Sequence, residues 1–334
     1  MKYFIRSDKF KIIISLLVIL QPIIELDYLF YDVLNNYGLP RLTTIIRFII
    51  IPIFIMLGFI YNDKNKKRTM ILVSIYSGLL LLYLIIHSSY VTSIFNTINL
   101  PTNFNYNIVG ELIYCFILVI PFYLIYLFYI SDIKDNIFKN TIIISCLVIS
   151  LPIFVSNITV TGLGTYWAKP AVDNIFSWFN DAYINYIPSE LATKFYFEQG
   201  NAIGVLLFVL LPILFLYYFK SESTKERLVI SIAIIIQSFA MYMMSTRVTT
   251  YGVLLTLVMV IIYSLIAKVI MKNLEFNKFL YVFPIVLLIV FGGIFKYTPM
   301  YQNQLLAQKN DALVKNDDYL LDRGKENVLK IIRE

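Results

Sequence analysis

The chain has 334 residues, of which 59% are apolar or aromatic and 15% are charged, and its mean hydropathy is +0.75. Soluble domains contain about 45 to 50% apolar and about 25% charged residues, so this composition excludes an ordinary soluble enzyme, a disordered chain and a nucleic-acid binder. The formal net charge of +7 must therefore be interpreted on an integral membrane protein, where the placement of the charges carries the information.

Nine apolar segments are long enough to cross a bilayer, because a span needs about 20 mostly apolar residues. They cover residues 12–31, 43–60, 70–86, 108–130, 141–156, 201–219, 228–245, 251–267 and 279–295. The first segment is not a cleaved signal peptide, since it continues past Pro22 without a small-residue cleavage site. The predicted fold class is all-α, a polytopic transmembrane helical bundle of about nine spans.

The distribution of Lys and Arg predicts the orientation of these spans. With the N-terminus inside, sixteen of these residues lie on the cytoplasmic side and five lie outside before the last span ends. We therefore predict that residues 1–295 form the transmembrane domain and that residues 296–334 begin a large extracytoplasmic loop. The final residues are apolar at helical spacing and carry no helix-terminating signal, which predicts that this loop is incomplete and that the chain is truncated at its C-terminus.

The predicted outer segment 157–200 is rich in aromatic residues and contains both tryptophans, Trp167 and Trp178. Aromatic rings with a polar edge favour the headgroup depth of a bilayer, so the stretch 172–187 could be an amphipathic helix lying in the interface. The same rings could instead form platforms that stack on sugar rings or on a lipid-linked substrate. The sequence leaves both interpretations open.

Few ionisable residues fall inside the predicted spans, where each costs about 2.5 to 3.5 kcal/mol on insertion scales. Glu25, Asp27, Arg47 and Glu111 all lie in the predicted outer half of the membrane. Such a group could line a polar pocket that opens outward. Alternatively, Arg47 or Arg41 could pair with Glu25 or Asp27 across neighbouring helices.

Arg247 lies at the predicted outer turn between the seventh and eighth spans, directly after Ser245 and Thr246. A guanidinium offers a planar fork of donors and keeps its charge, so this turn is a reasonable site for a diphosphate. The alternative is an arginine whose head group reaches back to the membrane interface.

The sequence lacks the motifs of several kinds of chemistry. The single histidine, His87, has no Cys, Asp or Glu nearby in sequence that would indicate a metal site. No Walker loop, no glycine-rich dinucleotide fingerprint and no HExxH motif occurs. We therefore expect no cofactor, no metal and no nucleotide hydrolysis in this chain.

Two motifs carry a family resemblance. The run from Phe195 through Glu198, Gly200 and Asn201 to Pro212 precedes a basic inner loop, an apolar span and the turn Ser245-Thr-Arg-Val-Thr-Thr-Tyr-Gly. This order resembles the core of the O-antigen ligase and polymerase superfamily, which consists of polytopic membrane proteins that transfer glycans. The stretch that begins Arg323-Gly-Lys-Glu is similar to the helix that opens the large outer loop of that family.

The resemblance implies a metal-independent glycosyl transfer that consumes no nucleotide. The donor would be a glycan on undecaprenyl diphosphate and the acceptor a sugar hydroxyl. Arg247 and Arg323 match the diphosphate-binding arginines of the family. The family's ligase branch uses a histidine further along the outer loop as general base, and no residue of this chain matches it, so the catalytic residue is unknown. The substrate pocket would further include Arg47, Glu198, Asn201 and Ser245.

The resemblance also implies a multi-pass protein of the bacterial cytoplasmic membrane that acts in surface polysaccharide assembly. A polymerase is favoured over a ligase, and the sequence leaves both open. Its partners would be an undecaprenyl-diphosphate-linked oligosaccharide and membrane lipid, and not nucleic acid. Whether further assembly proteins bind is left open. The alternatives are a transporter or flippase of lipid-linked sugars and a truncated relative without catalysis.

Overall fold

The fold is helical throughout the part of the chain that the computed structural model describes. The described residues are 7–61, 66–97, 108–131, 133–159, 174–179, 192–197, 200–270 and 279–314. No strand occurs in these ranges, which confirms the all-α fold class. Six helices are long and apolar enough to cross a membrane, and two bent helix pairs raise the number to eight if each pair is one span. The count of nine spans and the orientation of the termini remain predictions.

Twelve α-helices occur in the described ranges. They are α1 Asp8–Ile24, α2 Tyr31–Asn36, α3 Leu42–Ile45, α4 Ile51–Tyr61, α5 Lys66–Thr97, α6 Ile108–Ile130, α7 Asp135–Thr159, α8 Gly200–Lys220, α9 Thr224–Met244, α10 Arg247–Ile270, α11 Phe279–Ile294 and α12 Pro299–Val314. Three short 3₁₀-helices and one π-helical segment complete the list: Glu25–Phe30, Ile175–Phe179, Phe295–Tyr297 and the π-helical Ile46–Ile50. Helices predominate because hydrocarbon offers no partner for a backbone group that is left unbonded.

Both bent pairs occur where a proline interrupts the helical path. Between Asp8 and Asn36 the chain bends by 42° next to Pro22, which has no N–H to donate into the helix. The second bend, of 43°, separates Tyr297 from Pro299. There Thr298 is extended, as expected of a residue that precedes proline. The predicted span 12–31 is therefore bent, whereas the second bend lies just beyond the predicted span 279–295, which is one α-helix up to Ile294.

The chain divides into two compact units, Met1–Thr141 and Ile142–Glu334, which we call unit 1 and unit 2, and the division falls inside α7. The apolar core of unit 1 is formed by α1, α4 and α6. Its largest fully buried residues are Phe10, Ile14, Ile51 and Leu127. Gly58 brings α4 against α6, since a Cβ atom there would lie 2.3 Å from a methyl carbon of Leu127.

Unit 2 has a larger core, to which α9 contributes most of its length. Two side chains of α9 bind backbone carbonyls of its neighbours. The amide Nε2 of Gln237 donates to the carbonyl of Leu207 on α8 over 2.6 Å, and the hydroxyl of Tyr242 donates to the carbonyl of Phe291 on α11 over 3.0 Å. Polar bonds of this kind link transmembrane helices where apolar burial gives no driving force between them.

Glycines bring α8 and α10 into close contact along two successive turns. A Cβ atom on Gly204 would lie 2.7 Å from the methyl group of Thr249, and one on Gly252 would lie 2.7 Å from the ring of Phe208. Gly204 and Phe208 of α8 contact Thr249 and Gly252 of α10 in the same order along both chains, so the two helices run parallel. Their N-termini therefore lie at the same end of unit 2, which we call the α9–α10 end.

Candidate functional site

The α9–α10 end is organised by a sharp turn at Ser245, whose backbone is left-handed at φ 49°. The N–H and the hydroxyl of Ser245 both donate to the carbonyl of Tyr242, over 3.0 and 2.7 Å. A left-handed backbone costs a residue with a side chain about 1 to 2 kcal/mol. These two hydrogen bonds offset that cost and end α9 directly before α10 begins.

Helix α10 begins with a reciprocal pair of threonines. The N–H of Thr246 donates to Oγ1 of Thr249, and the N–H of Thr249 donates to Oγ1 of Thr246, each over 3.1 Å. This arrangement is a capping box with threonine in the position usually taken by glutamate or glutamine. The N–H groups of Arg247 and Val248 form no hydrogen bond with any other residue that the structure describes. Two donors therefore remain free at the positive end of the helix dipole.

Arg247 is the first residue of α10, and its side chain is exposed. Within the described ranges its guanidinium makes neither an ion pair nor a hydrogen bond. A cation at a helix N-terminus opposes the dipole by about 0.3 to 1 kcal/mol, so local stability does not favour an arginine here. Together with the free N–H groups, the guanidinium can bind an anion such as a phosphate.

Asn201 lies in the first turn of α8, three residues before Gly204 and on the same helix face. Its side chain is exposed and bonds to no described residue. The structure thus brings three of the predicted site residues, Asn201, Ser245 and Arg247, to the α9–α10 end. The Ser245 hydroxyl already donates its proton to the backbone, so it could only accept a hydrogen bond from a ligand. The predicted site residues Glu198 and Arg323 lie outside the described residues.

Parts of the predicted outer segment 157–200 are attached to this end through one buried amide. Asn157 is fully buried in the last turn of α7; its Nδ2 donates to Oγ1 of Thr193 over 3.2 Å. Its Oδ1 accepts from the N–H of Ile175 over 2.9 Å, and the N–H of Thr193 donates to the carbonyl of Met243 over 2.9 Å. Sequence reasoning missed Asn157, because the predicted span ends at residue 156 and places this amide in the outer segment, whereas the helix continues to Thr159 and the buried amide needs partners.

Backbone strain also concentrates here. Phe195 has φ 55°, and among the described residues it is, with Ser245, one of two non-glycines with positive φ. The segments that carry them are joined by the hydrogen bond between Thr193 and Met243. Strained residues cluster at functional sites, where the surrounding structure maintains them. This clustering supports the α9–α10 end as the candidate site.

An aromatic contact extends the site along α10. Tyr251 lies one helical turn after Arg247, and its ring centroid is 5.5 Å from that of Phe295. The hydroxyl of Tyr251 donates to Oε1 of Gln304 on α12 over 2.9 Å. The segment that follows the second bend is therefore packed beside the beginning of α10.

Two arginines of unit 1 form ion pairs with carboxylates, as one of the two sequence interpretations predicted. Arg47 lies 2.6 Å from Glu25 and Arg41 lies 2.9 Å from Asp27, and Asp27 also accepts from the N–H of Thr43 over 2.7 Å. Arg47 belongs to the π-helical segment, a distortion that is frequent at functional sites. Its proposed place in a substrate pocket remains a prediction.

His87 has a carboxylate partner that the sequence did not suggest, because the two residues lie on different helices. Nδ1 of His87 on α5 is 3.3 Å from Oε1 of Glu111 on α6. The ring of Tyr83 stacks on the imidazole with a centroid distance of 5.3 Å. Within the described part of the chain, no group of three His, Cys, Asp or Glu side chains could hold a metal ion.

Comparison with known proteins gives one match. No curated protein and no solved structure matches the chain significantly. The profile of a family described as O-antigen ligase like membrane protein matches residues 7–310. This range includes helices from both units and the turn at Arg247, and it confirms the resemblance that the motifs predicted. The chain is therefore a multi-pass membrane protein that belongs to the family of O-antigen ligase like membrane proteins.

Proposed function

We propose that the protein transfers glycans from undecaprenyl diphosphate to a sugar hydroxyl at the outer face of the membrane, as a step of surface polysaccharide assembly. The observation that carries this proposal is the exposed Arg247 at the N-terminus of α10, beside two free backbone N–H groups. Membership of the O-antigen ligase like family supports the class of reaction.

The chemistry of this transfer requires a cationic site. The bond between the sugar carbon and the diphosphate oxygen breaks while the acceptor oxygen bonds to that carbon and gives up its proton to a base, so negative charge develops on the departing diphosphate. Donors that are already in place where charge develops lower the barrier most effectively. Arg247 and the N–H groups of Arg247 and Val248 supply such donors without a metal or a nucleotide.

Asn201 and Ser245 lie at the same end of unit 2 as these donors, and we propose that they complete the pocket. The exposed amide of Asn201 can donate to a phosphate or to a sugar hydroxyl, and the oxygen of Ser245 can accept from one. Glu198 and Arg323 are proposed as further members of the pocket on the basis of the family motifs alone. We assign no general base.

The test is an Arg247→Gln variant in cells that depend on this protein for their surface polymer. We expect the polymer to be lost or shortened while lipid-linked repeats accumulate on the outer face of the membrane. Arg68→Gln is the matched control, since it neutralises an exposed arginine at the beginning of α5 in unit 1. The control should leave polymer length unchanged.

Two outcomes would contradict the proposal. Polymer of normal length in the Arg247→Gln cells would show that the guanidinium is not needed for transfer. Repeats that accumulate on the inner face would instead indicate a transporter of lipid-linked sugars. The product also separates the two branches of the family: a polymerase lengthens the chain of repeats, whereas a ligase attaches finished chains to a different acceptor.

A further inference from the structure

The 3₁₀-helix Ile175–Phe179 presents two phenylalanines on one face. A 3₁₀-helix has three residues per turn, so residues three apart lie above one another. Ile175 and Trp178 form the inner face, and each is 6% exposed. Phe176 and Phe179 form a second face, a third of a turn away, and are 68% and 48% exposed. The tryptophan that the sequence suggested as a stacking ring is thus buried, and the exposed rings are phenylalanines.

Hydrogen bonds attach this 3₁₀-helix to α7 and stabilise its first turn. The N–H of Ile175 donates to the buried Asn157, and Asn174 donates from Nδ2 to the carbonyl of Ile158 over 3.3 Å. Oδ1 of Asn174 accepts from the N–H of Phe176 over 3.1 Å. These hydrogen bonds fix the orientation of the exposed rings, and a binding surface that is oriented in advance lowers the entropic cost of binding.

The exposed rings continue onto the 3₁₀-helix Phe295–Tyr297. The ring of Phe179 lies 4.9 Å from that of Tyr297, and the amine of Lys296 lies 4.8 Å from the centroid of the Tyr297 ring. Lys296 is exposed and forms no ion pair with a described residue. Aromatic rings and a cation that has no ion-pair partner among the described residues are thus combined on one surface.

The same short helix connects this surface to the proposed diphosphate site. Phe295, two residues before Tyr297, contacts the ring of Tyr251, and Tyr251 lies one turn after Arg247 on α10. Two ring contacts, Tyr251 with Phe295 and Tyr297 with Phe179, therefore connect the beginning of α10 to the 3₁₀-helix that carries Phe176. In the proposed substrate, the first sugar is bonded directly to the diphosphate, so a sugar would lie next to such a phosphate site.

We propose that Phe176, Phe179 and Tyr297, which we call the aromatic platform, bind the sugar of the lipid-linked donor, and that Lys296 binds its hydroxyl groups. This inference rests on the proposed function. The apolar C–H face of a pyranose packs on an aromatic ring, while its hydroxyls need donors and acceptors. An acyl chain in the same place would desolvate the Lys296 ammonium without compensating it, which disfavours lipid as the occupant.

Two probes that differ by one sugar test the platform. The full chain in phosphatidylglycerol nanodiscs is titrated with undecaprenyl diphosphate and with undecaprenyl diphosphate that carries one N-acetylglucosamine. Stacking uses a C–H face common to most pyranoses, so one sugar is a sufficient probe. The wild type should bind the glycosylated probe more tightly. Phe176→Ala should reduce this preference about 3- to 10-fold and leave the Kd of the bare probe unchanged.

Two further variants control this measurement. Phe176→Trp should restore the preference because it restores a ring. Phe138→Ala truncates a phenylalanine that is 40% exposed in the first turn of α7, at the opposite end of that helix from Asn157. It should leave the preference intact.

The outcomes separate the platform from the proposed function. A wild type without preference, or a preference unchanged by Phe176→Ala, overturns the platform. An equal loss of affinity for both probes also overturns the platform, because Phe176 would then contact the lipid part of the probe or the membrane. Arg247→Gln should lower the affinity for both probes equally. If it lowers neither affinity, the proposed function fails. If Arg247→Gln weakens both probes but Phe176→Ala changes nothing, the platform alone is wrong.

Discussion

The charges of unit 1 are arranged differently from those at the α9–α10 end of unit 2. In unit 1, Arg41 and Arg47 each contact a carboxylate. In unit 2, Arg247 and Lys296 have no anionic partner among the residues that the structure describes. Arg41 and Arg47 are thus neutralised by carboxylates, whereas Arg247 and Lys296 are left open to a ligand.

This difference separates structural charges from functional ones. In a membrane protein an ionised side chain is expensive, and pairing is the ordinary way in which it is tolerated. An unpaired guanidinium at the positive end of a helix is stabilised neither by a partner nor by the dipole. We therefore attribute the paired arginines to folding and Arg247 to binding of an anion.

Each unit contains a buried free cysteine, Cys115 in unit 1 and Cys146 in unit 2. The rate at which a thiol reagent labels one of them, with the other replaced by serine, reports the opening of its own unit. The stability changes below can therefore be assigned to the unit in which they occur.

The largest effect is expected from Gly204→Leu, which inserts a side chain between α8 and the threonine pair of α10. A Cβ atom there would already lie 2.7 Å from Thr249, so unit 2 should lose about 3 kcal/mol, the upper end of the range for overpacking. Cys146 labelling should accelerate. Gly78→Leu on α5 is the control, because a Cβ atom there meets nothing within 4 Å. Equal labelling rates in the two variants would disprove the close approach of α8 and α10.

Asn157→Ala should destabilise unit 2 by about 2 kcal/mol, because it leaves the N–H of Ile175 and the hydroxyl of Thr193 without their partner. Faster labelling of Cys146 and loss of the preference for the glycosylated probe should follow together. Ser156→Ala is a matched control: Ser156 is the preceding residue and is 2% exposed, and its hydroxyl has no hydrogen-bond partner within the described ranges. If both variants behave alike, Asn157 does not hold the platform.

A double-mutant cycle on Glu25 and Arg47 examines the pairing in unit 1. Each single change to glutamine should cost about 1 to 2 kcal/mol, less than a fully buried pair, since the side chains are 20% and 36% exposed. The double variant should recover part of this loss, and Cys115 labelling measures the coupling energy. Strictly additive effects would mean that the two charges do not stabilise each other, and would favour the interpretation of Arg47 as a pocket residue.

Thr249→Val should have the smallest effect, about 1 kcal/mol, through loss of the acceptor for the N–H of Thr246. The predicted readout is an approximately fivefold weaker affinity for undecaprenyl diphosphate, because the beginning of α10 frays beside Arg247. Thr249→Ser keeps the hydroxyl and should retain wild-type affinity. Equal weakening by both variants would contradict the capping box as the sole cause, because the serine variant keeps the hydroxyl and loses only the methyl group that packs near Gly204.

Hydropathy predicted much of the fold, because span length is set by bilayer thickness and leaves a clear trace in the sequence. The α9–α10 turn was also predictable, since Ser245, Thr246 and Arg247 interrupt an apolar stretch. By contrast, the partners of Asn157 lie 18 and 36 residues away, and His87 meets Glu111 across two helices. Contacts of this kind depend on how the helices pack, which local sequence does not specify.

The candidate site could be predicted from the sequence only in part, because it also depends on how the helices pack. A polar turn indicated an anion site, but the left-handed backbone of Phe195 and the outward direction of Phe176 could not be read from residue types. Trp178 illustrates the limit: its size suggested a stacking surface, yet it anchors the inner face of the 3₁₀-helix. Periodicity assigns a face only when the type of helix is known.

The most direct test of the account is the stabilisation of the purified chain by undecaprenyl diphosphate, because a ligand raises the unfolding temperature only of a protein that binds it in the folded state. We predict a rise in Tm for the wild type and for Arg41→Gln, whose arginine is already paired with Asp27, and no rise for Arg247→Gln. A rise of equal size in Arg247→Gln and the wild type would contradict the central claim that the free arginine of unit 2 binds the diphosphate.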